Sequence, residues 1–375
     1  MDVSRCTEDK YKAVAAKFEA QKIAFSPLSF QAVQAMLELG VLKNISDSGE
    51  KGLTKEEIAE KCGISSYGAG LLADTGLVLK VLRLNPQDLS RFVLGKIGFF
   101  LLEDELTRVN FNFVRDVCYK GAFFLAASIK EGKPRGLSVF GDKWNTVYEA
   151  LSELPQEVKK SWFEFDHFYS DLVFKHALPI VFEKKLNAGV VRHIFDLGGN
   201  TAKWAICCCK YNANAKVTVL DLPGQTELAR KNAKAAGFEA RIDTIDLDIL
   251  SPDSEFPPCP DIVWMSQFLD CFSIRDITKI AAKIAKAASE KTRVYVLEPL
   301  IDMQRFEAAE FSLTASSLYF TCIANGKSRM YRYGELKSAV EAAGFELECA
   351  HHNLAANSYS LLKFRPAIRR EDRPV

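Results

Sequence analysis

The stretch RHIFDLGGNTAKWAICCCKYN, residues 192–212, decides how the second half of the chain folds. It opens as an apolar strand, reaches Asp196, turns through Gly198 and Gly199, and continues with helical spacing. Glycines at a strand-to-helix turn let the backbone approach a ligand, and the helix N-terminus behind them favours negative charge. Glycines also serve tight turns that hold no ligand, so this motif alone leaves both readings open. Outward from it, strands and helices alternate. Strand KVTVLDLPG (216–224) precedes helix QTELARKNAKAAGF (225–238), and RIDTIDLDIL (241–250) and DIVWMSQFL (261–269) read as strands. Helix IRDITKIAAKIAKAAS (274–289), strand TRVYVLEPL (292–300), helix YGELKSAVEAAGF (333–345) and strand ECAHHNLAANSYSLLKF (348–364) complete the series. The alternation predicts a doubly wound α/β sheet with ligands at the carboxyl ends of its strands.

Those ends are polar. Asp221 closes the second strand, where a carboxylate can accept ribose hydroxyls; Asp248 closes the third, and Ser266 and Gln267 the fourth. Together they outline one crevice. The order Gly-Gly-Asn-Thr-Ala from Gly198 fails the G-x-G-x-x-G spacing of a dinucleotide site.

The first half has another grammar. SPLSFQAVQAMLELGVLKNI (26–45) has apolar residues at helical spacing, with Gly40 as a stop. In LTKEEIAEKCGI (53–64), Thr54 and Glu57 form a capping box. YGAGLLADTGLVLKVLRLNPQDLSRFVLG (67–95) supplies another helix and an extended pair, the order of a winged helix. Residues 111–185 read as helical and rich in aromatics.

Composition narrows the classes of function. Over 375 residues, 49 Lys and Arg face 48 Asp and Glu, so no net charge draws the chain to nucleic acid or an anionic membrane. The start MDVSRCTEDKYK has no apolar signal core, and no run reaches the roughly 20 apolar residues of a membrane span; the expectation is a cytoplasmic protein. Ten cysteines include Cys207, Cys208 and Cys209 in a row on a helix, which point in different directions and cannot form a cage. They read as small buried hydrophobes, and no metal is expected.

FDLGG, from Phe195, resembles the D-x-G-G-G-x-G motif of class I methyltransferases, with Asn200 and Ala202 in place of the last two glycines. The resemblance extends along most of the chain to the S-adenosylmethionine-dependent small-molecule O-methyltransferases of the plant caffeate type and bacterial antibiotic type. The segments LTKEEIAEKCGI and LLADTGLVLKVL are similar to that family's winged-helix dimerisation domain. VTVLDLPGQTELARKNA, DLDIL and GKSRMYRYGELKSAVEAAGF are similar to its later motifs, in the same order.

The resemblance implies a Rossmann-like, seven-stranded class I methyltransferase domain preceded by a mainly helical winged-helix dimerisation domain. Residues 1–110 form the latter; residues 111–375 hold substrate-roofing helices and the catalytic domain, whose nucleotide-binding core covers about 186–368. S-adenosylmethionine is the implied cofactor and a homodimer the implied assembly. By the same resemblance Gly198 and Gly199 face the methionine portion with Asp196 beneath. Asp221 and Leu222 hold the ribose, Asp248 and Ile249 frame the adenine, and Ser266 and Gln267 line the amino-acid end.

The family's catalytic histidine falls at Asp270, so this chain departs from the pattern at its reacting position. Of the two glutamates that hold the histidine, one matches Glu298 and the other falls on Ser328. Asp270 has three open roles: base, substrate-orienting group, or structural residue. An aspartate can act as base if burial raises its proton affinity. His167 is a second acid–base candidate on a helix that, by resemblance, roofs the acceptor; Phe163, Tyr169 and Phe320 are candidate walls, with core packing as the plain alternative.

The leading function is methyl transfer to a hydroxyl of a small aromatic metabolite. MSQFLDCFS (265–273) also resembles proteins of bacterial aryl polyene pathways. A diverged decarboxylase- or hydroxylase-like reaction, or an inactive relative, stands second. A ligand-sensing winged-helix regulator stands third, because its recognition segment is mixed or acidic.

Overall fold

The computed structural model describes residues 7, 9–182 and 192–367. The chain divides between Asn112 and Phe113 into two compact units.

In the first unit, helices α1 (Ser26–Glu38) and α2 (Val41–Asp47) are separated by Gly40 at φ +71°. A short strand β1 (Leu53–Thr54), helices α3 (Lys55–Cys62) and α4 (Ser66–Val78), and strands β2 (Leu82–Asn85) and β3 (Asp88–Leu94) follow, with the antiparallel order β1-β3-β2. This is the winged-helix order. The capping box forms as expected: Thr54 Oγ1 accepts from the Glu57 N–H, and Glu57 Oε2 accepts from the Thr54 N–H at 2.9 Å. Glu57 also receives two hydrogen bonds from Arg91 of β3, fastening α3 to the hairpin. Met36, Leu42, Ile45 and Ile58 fill the core.

The second unit is a seven-stranded sheet of order β6-β5-β4-β7-β8-β10-β9. Strands β4 (Arg192–Leu197), β5 (Ala215–Asp221), β6 (Ile242–Asp246), β7 (Ile262–Ser266) and β8 (Arg293–Glu298) are parallel; β10 (Tyr359–Pro366) runs antiparallel between β8 and β9 (Phe345–Leu354). Helices α5 (Gln156–Val181), α6 (Lys203–Tyr211), α7 (Pro223–Ala235), α8 (Ile274–Ala287), α9 (Glu307–Tyr319) and α10 (Tyr333–Glu341) accompany it. Alternate residues of β7 enter two different cores: Trp264 packs with Trp204 and Cys208, whereas Val263 and Met265 pack with Ile277, Ile280 and Ile284 of α8. Strands buried on both faces are the mark of a parallel sheet covered by helices. The strand order reverses beside β4, which opens a crevice at the carboxyl ends of β4 and β7.

Three expectations need correction. Residues 348–364, read as one strand, form two: β9 and β10 meet in a turn where Ala355 and Ser358 take φ +58° and +53°. No glycine or proline marks that turn. The third parallel strand stops at Asp246, so Asp248 lies beyond it, and the fourth stops at Ser266, leaving Gln267 in a left-handed conformation at φ +47°. Residues 111–182 are less regular than the helical reading of 111–185 implies, with π-helical and 3-10 turns at Val114–Cys118 and Gly121–Phe124, and 183–185 lie outside the described residues. Among the described residues, no helix is long and apolar enough to cross a membrane.

Candidate active site

A cavity of about 560 Å³ opens at the carboxyl ends of β4, β5, β6 and β7 in the second unit, a volume typical of small-molecule sites. Its floor is the turn after β4. Gly198 has φ +73°, and a Cβ there would sit 2.2 Å from Phe268 Cδ2; a Cβ on Gly199 would sit 2.7 Å from Asp196 Oδ2. Both positions therefore require glycine, one for its backbone angle and both for space. Asn200 and Ala202 also adopt left-handed angles, φ +46° and +62°, at the two positions where glycines are missing.

Asp221 organises this turn from the next strand. Its carboxylate accepts from the Asn200 N–H at 2.9 Å and the Leu222 N–H at 2.7 Å. Burial raises its pKa, against the pull of those two donors. Asp196 is 2% exposed; burial, and then the charge of Asp221, push its carboxyl up to about 8. Beyond β6, Asp248 Oδ1 accepts from the Leu250 N–H at 3.0 Å, and Ile249 is buried. Lys283 of α8 holds that loop, donating to Ile249 O, Ser251 O and Ser254 Oγ at 2.9, 2.7 and 2.8 Å. Sequence reading missed Lys283, which looks like any other lysine of an amphipathic helix.

Several buried polar atoms on the cavity wall have no hydrogen-bond partner among the described residues: Asp196 Oδ2, Asn200 Oδ1, Trp204 Nε1, Ser266 Oγ and Gln267 Oε1. Buried polar groups are normally satisfied, so these atoms are open to a bound ligand or water. Acceptors outnumber donors in the group, which suits an ammonium-bearing amino acid. The glycine cradle and Asp221 suit a nucleoside. The residues present thus fit S-adenosylmethionine.

The other end of the cavity is built around the turn Leu269–Cys271, which carries Asp270. Three groups clamp this turn through its backbone. Glu298 Oε1 accepts from the Phe268 and Leu269 N–H groups at 3.1 and 2.9 Å. Asn325 Nδ2 donates to Cys271 O at 2.9 Å and to Ser328 Oγ at 2.8 Å, and Tyr331 Oη donates to Phe272 O at 2.5 Å. Asp270 is 4% exposed. Burial is the main cause that pushes its carboxyl up to about 7; the Cys271 thiol, 3.5 Å away, acts against this and the charge of Asp166 with it. Glu298 is raised as well, by burial and then by Asp270. Two neighbouring buried carboxyls of this kind share their proton uptake.

The walls here are aromatic. Phe165 of α5 stacks on Phe113 at 3.9 Å, Phe113 meets Tyr319 edge-on at 4.9 Å, and Trp162 Nε1 donates to Tyr319 Oη at 2.7 Å. Phe320 lines the cavity beside them. His167 lines it too, with Nδ1 3.9 Å from Asp166 Oδ2 and its ring stacked on Phe163 at 5.8 Å.

The predicted residues thus divide. Asp196, Gly198, Gly199, Asp221, Leu222, Asp248, Ile249, Ser266, Gln267, Asp270, His167 and Phe320 all line one cavity. Glu298 stands behind it, touching backbone, and Phe163 packs edge-on against Trp162 at 5.1 Å in the core. The side chain of Tyr169 lies outside the described residues. Asp166, Tyr148, Trp162 and Asn325 line the cavity without having been singled out by sequence.

The O-methyltransferase domain family matches residues 124–346, and the Dimerisation2-like domain matches residues 17–92. The chain belongs to the O-methyltransferase domain family. Its enzymes draw the methyl group from S-adenosylmethionine.

This methyltransferase is similar in fold to several solved structures. The S-adenosylmethionine-dependent methyltransferase SibL matches at TM-score 0.68 and 20% identity, over 92% of this chain and 98% of SibL. NcsB1, the O-methyltransferase of neocarzinostatin biosynthesis solved with S-adenosylmethionine and 2-hydroxy-5-methyl naphthoic acid, matches at 0.64 and 18%, over 90% and 95%. Human N-acetylserotonin methyltransferase with S-adenosylmethionine matches at 0.63 and 16%, over 96% and 99%.

Proposed function

We propose that this methyltransferase moves a methyl group from S-adenosylmethionine to a hydroxyl of a small aromatic metabolite, that Asp270 takes the hydroxyl proton, and that the working unit is a homodimer formed through the Dimerisation2-like domain. The observation that carries the reading is one cavity holding two kinds of polar group: unpartnered atoms suited to the cofactor at one end, and a buried aspartate between aromatic walls at the other.

Bound S-adenosylmethionine supplies an electrophilic methyl on a sulfonium. Asp196, Ser266 and Gln267 orient its amino-acid end over the Gly198–Gly199 turn. Asp221 accepts the ribose hydroxyls, and Leu222, Asp248 and Ile249 frame the base. Trp162, Phe165, Tyr319 and Phe320 hold the acceptor ring, and His167 borders it. Asp270 would accept the phenolic proton of an acceptor held between these walls. A carboxylate near neutral pKa is suited to that transfer at neutral pH, whereas one at its ordinary value is a weak base. Glu298 acts at one remove, by fixing the turn that carries Asp270.

Calorimetric titration with S-adenosylhomocysteine tests the cofactor assignment, with micromolar binding expected and absence of binding overturning it. Mass analysis of phenols incubated with the enzyme and methyl-labelled cofactor tests the reaction. Label in a phenolic ether is expected; cofactor binding with no methyl gain would point to a diverged reaction.

A further inference from the structure

One wall of the cavity is a loop. The chain leaves β6 after Asp246, and Leu247, Asp248, Ile249 and Leu250 then line the cavity. Among the described residues, the hydrogen bonds of 248–254 run within the loop itself, apart from those of one side chain. That side chain is Lys283 of α8, whose ammonium donates to Ile249 O at 2.9 Å, Ser251 O at 2.7 Å and Ser254 Oγ at 2.8 Å. An ammonium has three hydrogens, so Lys283 commits its whole donor capacity to this loop. All three acceptors are neutral oxygens, so the contact is a brace and not an ion pair. The helix behind it is firmly seated: Ile277, Ile280, Ala281 and Ile284 are buried, and Ile249 packs in the same core cluster. Ile249 is thus held twice, by its side chain in that core and by its carbonyl on Lys283.

We propose that Lys283 is a positioning residue for the cofactor, one that fixes the 248–250 wall and so sets cofactor affinity without touching the ligand. This role rests on the proposed placement of the adenine base against Asp248 and Ile249. A loose loop must be ordered when a ligand binds, and that ordering weakens binding; a loop already braced has met the cost beforehand. Lys283 supplies the brace from a helix that begins directly after the turn carrying Asp270, with Ser273 as its N-cap. Ser254 stands outside the cavity lining, so a change there reaches the ligand only through the loop and the ammonium that grips it.

Two probes test this by calorimetry on the full-length protein: S-adenosylhomocysteine, and 5′-methylthioadenosine, which keeps the base and ribose and lacks the amino-acid portion. Lys283→Met is expected to weaken both by about tenfold or more, and by factors that agree within about twofold. Hydrogen exchange in the same variant should quicken across residues 247–255 and stay unchanged across 196–202. Ser254→Ala should weaken S-adenosylhomocysteine about three- to fivefold alone and less than about twofold once Lys283→Met is present, because the hydroxyl acts through the ammonium. Affinities in Lys283→Met within about twofold of wild type overturn the proposal. So does loss of S-adenosylhomocysteine with 5′-methylthioadenosine retained, or exchange that quickens equally at the glycine turn. A wild-type protein that binds S-adenosylhomocysteine but not 5′-methylthioadenosine overturns it too, since affinity would then lie at the amino-acid end. Should Lys283→Met fail to fold, Ser254→Ala decides, and unchanged affinity there overturns the proposal. Failure of the wild-type protein to bind S-adenosylhomocysteine would instead defeat the proposed function, so the two failures are separable.

Discussion

The two ends of the cavity are constructed in different ways. The end proposed for the cofactor is made of backbone: a turn locked by Gly198 and Gly199, held by the Asp221 carboxylate through two N–H groups. The end proposed for the acceptor is made of side chains brought from α5, α9 and the turn after β7, regions far apart in sequence. A backbone site tolerates almost no change at its glycines, whose angle and space are fixed. A side-chain site can be re-cut for a new acceptor while the floor stays fixed. If that division is right, variants at one end should leave the other end's ligand alone.

The sharpest separation is expected at Asp270. Asp270→Asn keeps the shape of the turn and removes the base, so kcat should fall by about 10²–10⁴-fold. Affinity for S-adenosylhomocysteine should stay within about twofold by calorimetry. Retention of near wild-type kcat would reduce Asp270 to an orienting group. The pH profile supplies a second reading. With the carboxyl pushed up to about 7, only its ionised form can accept a proton, so kcat/KM should rise through neutral pH and level above it. The Asp270→Asn variant should lose that limb.

The opposite separation is expected at Gly198. An alanine Cβ would meet the Phe268 ring at 2.2 Å and suffer the left-handed backbone angle as well. The angle costs about 1–2 kcal/mol and forced packing about 1–3 kcal/mol, enough to weaken S-adenosylhomocysteine by about 10–100-fold as the turn shifts. Circular dichroism should show an intact fold. Unchanged affinity would mean that the ligand does not lie against this turn.

The contrast also explains what the sequence made legible. Backbone requirements leave local marks: paired glycines after an apolar strand, aspartates at strand ends, a Thr54–Glu57 capping box. Each could be read within a few residues. Asp166 carries no such mark, because it joins the cavity wall only where α5 comes near Asp270. Asn325 is similar: its side chain reaches a carbonyl 54 positions away. The β9–β10 turn escaped notice because Ala355 and Ser358 adopt angles that usually call for glycine or asparagine. Glu298, expected by resemblance beside the reacting position, neighbours Asp270 and also holds the backbone of its turn, a contact that residue spacing does not announce.

A smaller effect should follow from loosening the clamp. Asn325→Ala removes the donor to Cys271 O, leaves Ser328 Oγ without its partner, and frees one end of the turn. A buried hydrogen bond of this kind is worth about 1–3 kcal/mol when one side is lost. Part of that cost should fall on the position of Asp270, lowering kcat by about tenfold with little change in KM for the acceptor. A fall in stability with kcat untouched would show that Glu298 and Tyr331 suffice to hold the turn.

The smallest expected effect is on stability, and it again separates the ends. Asp196 has its carboxyl pushed up to about 8 by burial and by Asp221, against about 3.9 in an unfolded chain. The native state therefore holds a proton that the unfolded state has released between about pH 4 and pH 8, so this group's contribution to stability falls as pH rises through that window. In Asp196→Asn the contribution is gone. The difference in Tm, variant minus wild type, should grow by a few degrees between pH 5 and pH 9 in the absence of cofactor. At the same time the variant should bind S-adenosylhomocysteine more weakly, because the ammonium loses its carboxylate. Stability gained and affinity lost at one residue would identify Asp196 as a charge kept buried for its ligand. A Tm difference flat with pH would show that the carboxyl is ionised in the fold at all these pH values, satisfied by donors such as the Ala205 N–H, which already acts to lower its pKa.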